Sequence, residues 1–426
     1  MHFSSEIMIL LNNKGDSPAM TIADTLKKRR IYLAAGVISM LFSGVLYAWS
    51  ILKEPFKEGF GWSDSSLALN FTVTMCFFCL GAFFGSLLNK KLGVKITLII
   101  AGVLVGAGFS LTGLLTADML YLLYVFYGFL AATGIGISYN VVVSTVNAWF
   151  PDKKGFSSGL LMMGFGVSTL LLGNIISKFF ANPAIGVAKT FLFLGAVIAV
   201  VLIFAGFVLK SPDKDTELPA PKAVKKLKAE GFEVRDFSTV EMIKSFTFIR
   251  AFICMAFITA VGNSVISFAR DLMLSVDAPV DLATTLVGVL SVFNGIGRIL
   301  TGILFDKAGR KATMISANIL TIFAAGMTLA AVMTGSLPLC IIGLCATGLS
   351  YGSCPTVTSA FTMAFYGKKN FATNYSIMNF NLIIASFFAT FSSSLLASSG
   401  SYTTPFIMLL SLSVIALGLN FSIKKP

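Results

Sequence analysis

The chain has 426 residues, of which 56% are hydrophobic and only 12% charged, with a net charge of +13 and a mean hydropathy of +0.86. Soluble domains carry about 25% charged residues, so this chain needs lipid around most of its surface. One His (His2) and six Cys, all within apolar runs, leave no cluster for a hydrolytic enzyme or a metal site.

Residues 1–30 read as a polar tail. Its apolar patch, Ile7 to Leu11, is too short for a signal peptide, and Met20 is an alternative first residue. Charge-free runs follow at 31–52, 65–89, 96–117, 119–151, 155–177 and 190–209. Each suits the roughly 20 residues that a helix needs to cross about 30 Å of hydrocarbon. A charged stretch occupies 210–250. Beyond it come 251–269 and 282–305, the latter broken only by Arg298, and two longer runs, 312–367 and 370–423, that hold two spans each. Barrel strands would alternate, whereas these runs are continuously apolar. The expectation is an all-α integral membrane protein with 12 transmembrane helices. Its parts are a tail (1–30), a six-helix bundle (31–209), a linker (210–250), a second six-helix bundle (251–423) and a short tail (424–426).

Basic residues fall mainly on one side. Lys14, Lys27, Lys28, Arg29 and Arg30 of the tail lie there, with Lys90, Lys91, Lys95, Lys153, Lys154, the basic linker, Lys307, Arg310, Lys311, Lys368, Lys369, Lys424 and Lys425. The other side holds Lys53, Lys57, Lys178, Lys189 and Arg270. This bias predicts a multi-pass protein of the cytoplasmic membrane with both termini and the linker in the cytoplasm. The positive charge therefore reports topology and contact with lipid, with no call for a nucleic-acid partner. The glycines Gly128, Gly134, Gly136, Gly155, Gly159, Gly164 and Gly166 serve helix packing. No strand precedes them and no Gly-Lys-Ser/Thr follows, so neither a nucleotide nor any cofactor is expected. Cys76-x-x-Cys79, inside a span with no His nearby, reads as two small buried thiols.

The halves repeat. Lys90-Lys91-Leu92-Gly93-Val94-Lys95 after span 2 matches Asp306-Lys307-Ala308-Gly309-Arg310-Lys311 after span 8, and Lys153-Lys154-Gly155-Phe156 matches Lys368-Lys369-Asn370-Phe371. Two six-helix bundles in the same orientation imply a pseudo-two-fold axis along the membrane normal. Such carriers bind substrate near the midplane, between the halves.

Gly302-x-Leu304-x-Asp306-Lys307-x-Gly309-Arg310-Lys311 resembles the signature loop of the major facilitator superfamily. The resemblance implies that fold and a conformational latch at Gly302, Asp306, Lys307, Gly309, Arg310 and Lys311, with a degraded first copy at Lys90, Lys91 and Gly93. In that copy Lys90 stands in the place of the aspartate. Tyr47-Ala48-Trp49-Ser50, Gly61-Trp62-Ser63, Trp149-Phe150-Pro151-Asp152, Asn294-Gly295-Ile296-Gly297-Arg298 and Asn374-Tyr375 look like the oxalate/formate antiporter family, a relative of the monocarboxylate transporters. That resemblance implies a secondary carrier for small carboxylates.

Arg298 is the one charge inside a predicted span, about 12 Å along the helix from Asp306. A guanidinium there is costly unless hydrated or paired, and no span contains an acid to pair with it. Beside a cavity it can bind a carboxylate through its fork of donors, with Asn294 one turn away to orient it. The alternative is an arginine satisfied by helix carbonyls that only holds span 8. The resemblance implies the anchor, and it places Leu382 where oxalate carriers have a second cation. A monocarboxylate such as lactate, pyruvate or formate is therefore expected. Oxalate-type dicarboxylate exchange and a non-carboxylate solute are the alternatives. Tyr47, Trp49, Tyr139, Asn140, Asn263, Tyr351, Asn379 and Asn381 are candidate lining residues, or equally interhelical packing. No intramembrane Asp, Glu or His offers a proton relay. The coupling partner, a counter-anion or a proton, is left open, with a tilt towards exchange.

Overall fold

A computed structural model describes residues 22–151, 154–213, 216, 218, 236–367 and 369–424, without the side chains at 22–24, 154–156, 306 and 372. The tail 1–21 and most of the linker lie outside it. So do Lys153, Lys368 and the side chains of Asp306 and Lys154.

Among the described residues, eleven helices are long and apolar enough to cross a membrane. One of them, Asp64–Thr112, is 49 residues long and breaks at Gly93 (φ 75°, ψ 170°), which makes twelve crossing segments. We label them α1 (Thr25–Phe60), α2 (64–92), α3 (94–112), α4 (Leu120–Ala148), α5 (Ser157–Ala181) and α6 (Gly186–Val208) in the first half. The second half holds α7 (Phe246–Leu274), α8 (Val280–Phe305), α9 (Lys307–Thr334), α10 (Leu337–Tyr366), α11 (Thr373–Ser399) and α12 (Thr403–Phe421). Near the start of α9 the chain breaks in the same way at Gly309 (φ 73°, ψ −177°). This backbone region is open essentially to glycine alone. One turn later Thr97 Oγ1 donates to the Gly93 carbonyl and Thr313 Oγ1 to that of Gly309, both at 2.8 Å. The repeat read from the sequence is thus a repeat of conformation.

One buried core runs through both halves, a second lies within the second half, and apolar faces turn outward. Val200, Phe204 and Phe207 of α6, at helical spacing, are 66, 66 and 56% exposed, as a lipid-facing stripe would be. The halves meet along two symmetric seams. The second helix of the first half packs on the fifth of the other: Thr72 Oγ1 of α2 donates to the Ser386 carbonyl of α11 at 2.6 Å. Conversely α5 packs on α8, so closely that a methyl on Gly166 would stand 2.5 Å from the Ser291 carbonyl oxygen. Seam and counter-seam are what the pseudo-two-fold axis requires.

Several spans are not regular. In α1 a 3-10 stretch covers Gly44–Ala48, α4 contains a π-helical stretch at Tyr124–Ala131, α10 carries Pro355 in its interior, and α11 is interrupted at Phe380. Irregular backbone at membrane depth is tolerated where protein or a cavity surrounds it, and three of these four breaks border the site.

Candidate functional site: a cavity between the halves

A cavity of about 50 Å³ lies between the two halves, room for a few waters or one small anion. The first half contributes Tyr47, set in the 3-10 stretch of α1, with Phe78 and Cys79 of α2 and Tyr139 and Asn140 of α4. From the second half come Arg298 of α8 and Tyr351 and Cys354 of α10. Helix α11 adds Tyr375, Asn379, Asn381 and Leu382 around its break.

Arg298 is only 5% exposed. Its Nε donates to Asn294 Oδ1 at 3.2 Å, one turn back on the same helix, and its Nη1 donates to Met162 Sδ on α5. The Tyr139 hydroxyl donates to the same sulfur at 2.9 Å. Tyr47, Tyr139, Tyr351 and Tyr375 line the same cavity as the guanidinium. Among the described residues no carboxylate pairs with it. Across the cavity the Tyr47 hydroxyl donates to that of Tyr351 at 3.3 Å, joining the halves.

Tyr47, Tyr139, Asn140, Arg298, Tyr351, Asn379 and Asn381 all line the cavity, and Asn294 holds Arg298 from behind. Two candidates do not reach it. Trp49 is fully buried, its Nε1 donating to the Leu67 carbonyl at 3.1 Å and its ring 4.8 Å from that of Tyr127. Two residues on from Tyr47, it points to another side of the helix, into its own half. Asn263 is also fully buried and donates to the Leu382 carbonyl at 3.3 Å, tying α7 to α11. Asn381 borders the cavity with its amide already engaged, donating to the Met378 carbonyl at 2.6 Å. Sequence reasoning missed Met162 and the cavity role of Tyr375. Tyr375 stood in a quoted motif, whereas Met162 is one apolar residue among many.

The first residue of that motif has a different task. Asn374 Nδ2 donates to the Phe237 carbonyl and Asn374 Oδ1 accepts from Thr239 Oγ1 at 2.8 Å, so it straps the end of the linker to α11. In the latch loops, Lys90, Lys91, Lys307 and Lys311 are exposed, and the Arg310 guanidinium lies 5.0 Å over the Phe365 ring. Gly302 of α8 faces Thr356 of α10.

On the face away from the termini the halves are tied by charge. Lys53, buried at the end of α1, donates to Asp271 Oδ2 of α7 at 2.6 Å. Lys57 reaches Asp64 at 3.1 Å and Asp271 at 3.6 Å, and Arg270 pairs with Glu54. Among the described residues, the ion pairs that join the halves all lie here.

Twelve crossing segments, two reciprocal seams and a cavity between the halves agree with the family comparison. The model of the Major Facilitator Superfamily matches residues 31–268 and 251–426. The chain belongs to this superfamily. Among solved structures of the superfamily fold, a D-xylose-proton symporter superposes with a TM-score of 0.68 at 14% identity, over 92% of this chain and 97% of that one. The oxalate:formate antiporter of Oxalobacter formigenes is 29% identical over 358 residues, 81% of this chain and 80% of that protein. Monocarboxylate transporter 12 of Rattus norvegicus is 23% identical over 390 residues, 84% of this chain and 77% of that protein. This superfamily member is a multi-pass membrane transporter.

Proposed function

We propose that this transporter carries a small organic anion, a monocarboxylate such as formate, lactate or pyruvate, across the cytoplasmic membrane by alternating access. Arg298 pairs with the carboxylate, and the termini and linker are cytoplasmic. The observation that carries the reading is a buried arginine in the inter-half cavity with donors and tyrosine hydroxyls around it and no acid beside it. A guanidinium in low dielectric needs an anion, and its planar fork fits a carboxylate. Leu382 lines the same cavity, and the described wall contains no second Lys or Arg. A second carboxylate would lie there uncompensated. The name of the Oxalobacter relative favours a second reading, exchange of oxalate for formate, and the same assay separates the two.

Among the described residues the cavity wall contains no Asp, Glu or His, which supports exchange or facilitated movement over a proton relay at this site. The paired glycine breaks, with Lys90, Lys91, Asp306, Lys307, Arg310 and Lys311 around them, are the latch loops on which the halves rock.

The test is uptake of labelled formate, lactate, pyruvate and oxalate into proteoliposomes, for wild type, Arg298→Ala and Arg298→Lys. Wild type is expected to carry at least one monocarboxylate. Arg298→Ala should abolish that flux while the purified protein stays monodisperse, and Lys should restore little because it lacks the fork. Transport by Arg298→Ala at the wild-type rate would falsify the anchor, and transport of oxalate alone would favour the second reading.

A further inference from the structure

Arg298 belongs to α8 in the second half and Met162 to α5 in the first, so the contact between Nη1 and Sδ crosses the interface at the edge of the cavity. Neighbouring residues leave little freedom here. A methyl on Gly295 would stand 3.0 Å from the Met163 Cα, and one on Gly166 would press on Ser291. Tyr139 donates to the same sulfur. Two donors, one of them charged, therefore converge on a thioether, which is a weak and neutral acceptor. Met162 is 8% exposed, and the donors that meet there are those a carboxylate oxygen would attract far more strongly.

We propose that Met162 is the stand-in acceptor for Arg298. Its sulfur holds the guanidinium while no anion is bound and yields the position to the substrate carboxylate, and this lets the unloaded carrier return. The inference rests on the carboxylate reading above. An unloaded carrier must pass through a state closed on both faces, in which Arg298 is buried without an anion. A charged N–H with no acceptor there raises the barrier. A soft, neutral acceptor lowers it and still gives way to a carboxylate. An aliphatic side chain would leave the N–H bare, whereas an amide oxygen would compete with the substrate.

The experiment compares wild type, Met162→Leu, Met162→Gln and Arg298→Ala in proteoliposomes, using the monocarboxylate that wild type carries. Vesicles preloaded with that acid read exchange, and empty vesicles read net uptake. Leucine nearly conserves volume, so in Met162→Leu the ratio of net uptake to exchange should fall about tenfold below that of wild type, and the KM for exchange should drop severalfold. Met162→Gln should keep net uptake and raise KM. A parallel loss of exchange and net uptake in Met162→Leu would make the residue mere packing and overturn the proposal. So would unchanged fluxes in both variants, or a wild type that exchanges but performs no net uptake. Failure of the carboxylate reading is seen separately, as full transport by Arg298→Ala or none of the acids by wild type, and overturns both.

Discussion

Arg298 and Leu382 face one cavity from α8 and α11, one cationic and one aliphatic, and that pairing sets how many carboxylates the site can neutralise. A lysine in place of Leu382 would offer the far end of a dicarboxylate a partner. Leu382→Lys is expected to raise oxalate flux relative to formate by about tenfold, the worth of one charge-assisted contact at about 1.4 kcal/mol. Competing the two labelled acids in one vesicle preparation reads that ratio, and an unchanged ratio would show that the side chain does not meet the anion. Arg298 was legible in the sequence because a lone charge in an apolar run is conspicuous. Met162 was not, because nothing in its neighbours says that its sulfur meets a guanidinium 136 residues away. Tyr47 and Trp49 show the same limit from the other side: both belong to one motif, yet helical geometry lets only one of them face the cavity.

At the scale of elements, the two inter-span turns depend on glycine. Gly93 and Gly309 share a backbone conformation that a β-carbon disfavours. Gly93→Ala or Gly309→Ala should each cost about 1–3 kcal/mol, read as a lower Tm in detergent. Gly326, by contrast, sits inside α9 with nothing within 4 Å of an added Cβ. Gly326→Ala should raise the Tm by removing unfolded-chain entropy, about 0.5–1 kcal/mol. Equal shifts at Gly309 and Gly326 would contradict the backbone argument. The glycines were visible as a repeat, and so was the count of spans. The 3-10 stretch in α1 and the break at Phe380 were not, because neither Gly44–Ala48 nor Met378-Asn379-Phe380-Asn381 contains a proline to announce it. Those breaks direct Tyr47, Asn379, Asn381 and Leu382 to the cavity wall.

Across the whole molecule, one face is held shut by Lys53, Lys57 and Glu54 against Asp271 and Arg270, while Asp64 pairs with the two lysines inside the first half. Removing one partner of a buried pair leaves a buried charge, at about 3–5 kcal/mol. A carrier can relieve that cost by opening and hydrating the orphan. Asp271→Asn should therefore speed labelling of Cys79 and Cys354, both on the cavity wall, by a membrane-impermeant thiol reagent added from that face. Asp64→Asn should have a smaller effect, since its pairs do not cross between halves. Equal rates in wild type and Asp271→Asn would deny the ion pairs a part in closure.

Composition and spacing alone already held the number of spans, the internal repeat, the family and the one arginine, Arg298, inside a span. Each of these is written in local composition or spacing, which lipid thickness and the cost of a buried charge turn into structure. Which side chains share the cavity, what Arg298 touches, and that Lys53 meets Asp271, 218 residues away, on one face, emerge with the packed fold. Those facts depend on how two bundles rotate against each other. The rotation is set by close packing along the α2–α11 and α5–α8 seams, where the fit of many side chains at once fixes the angle. No single stretch of residues records that fit.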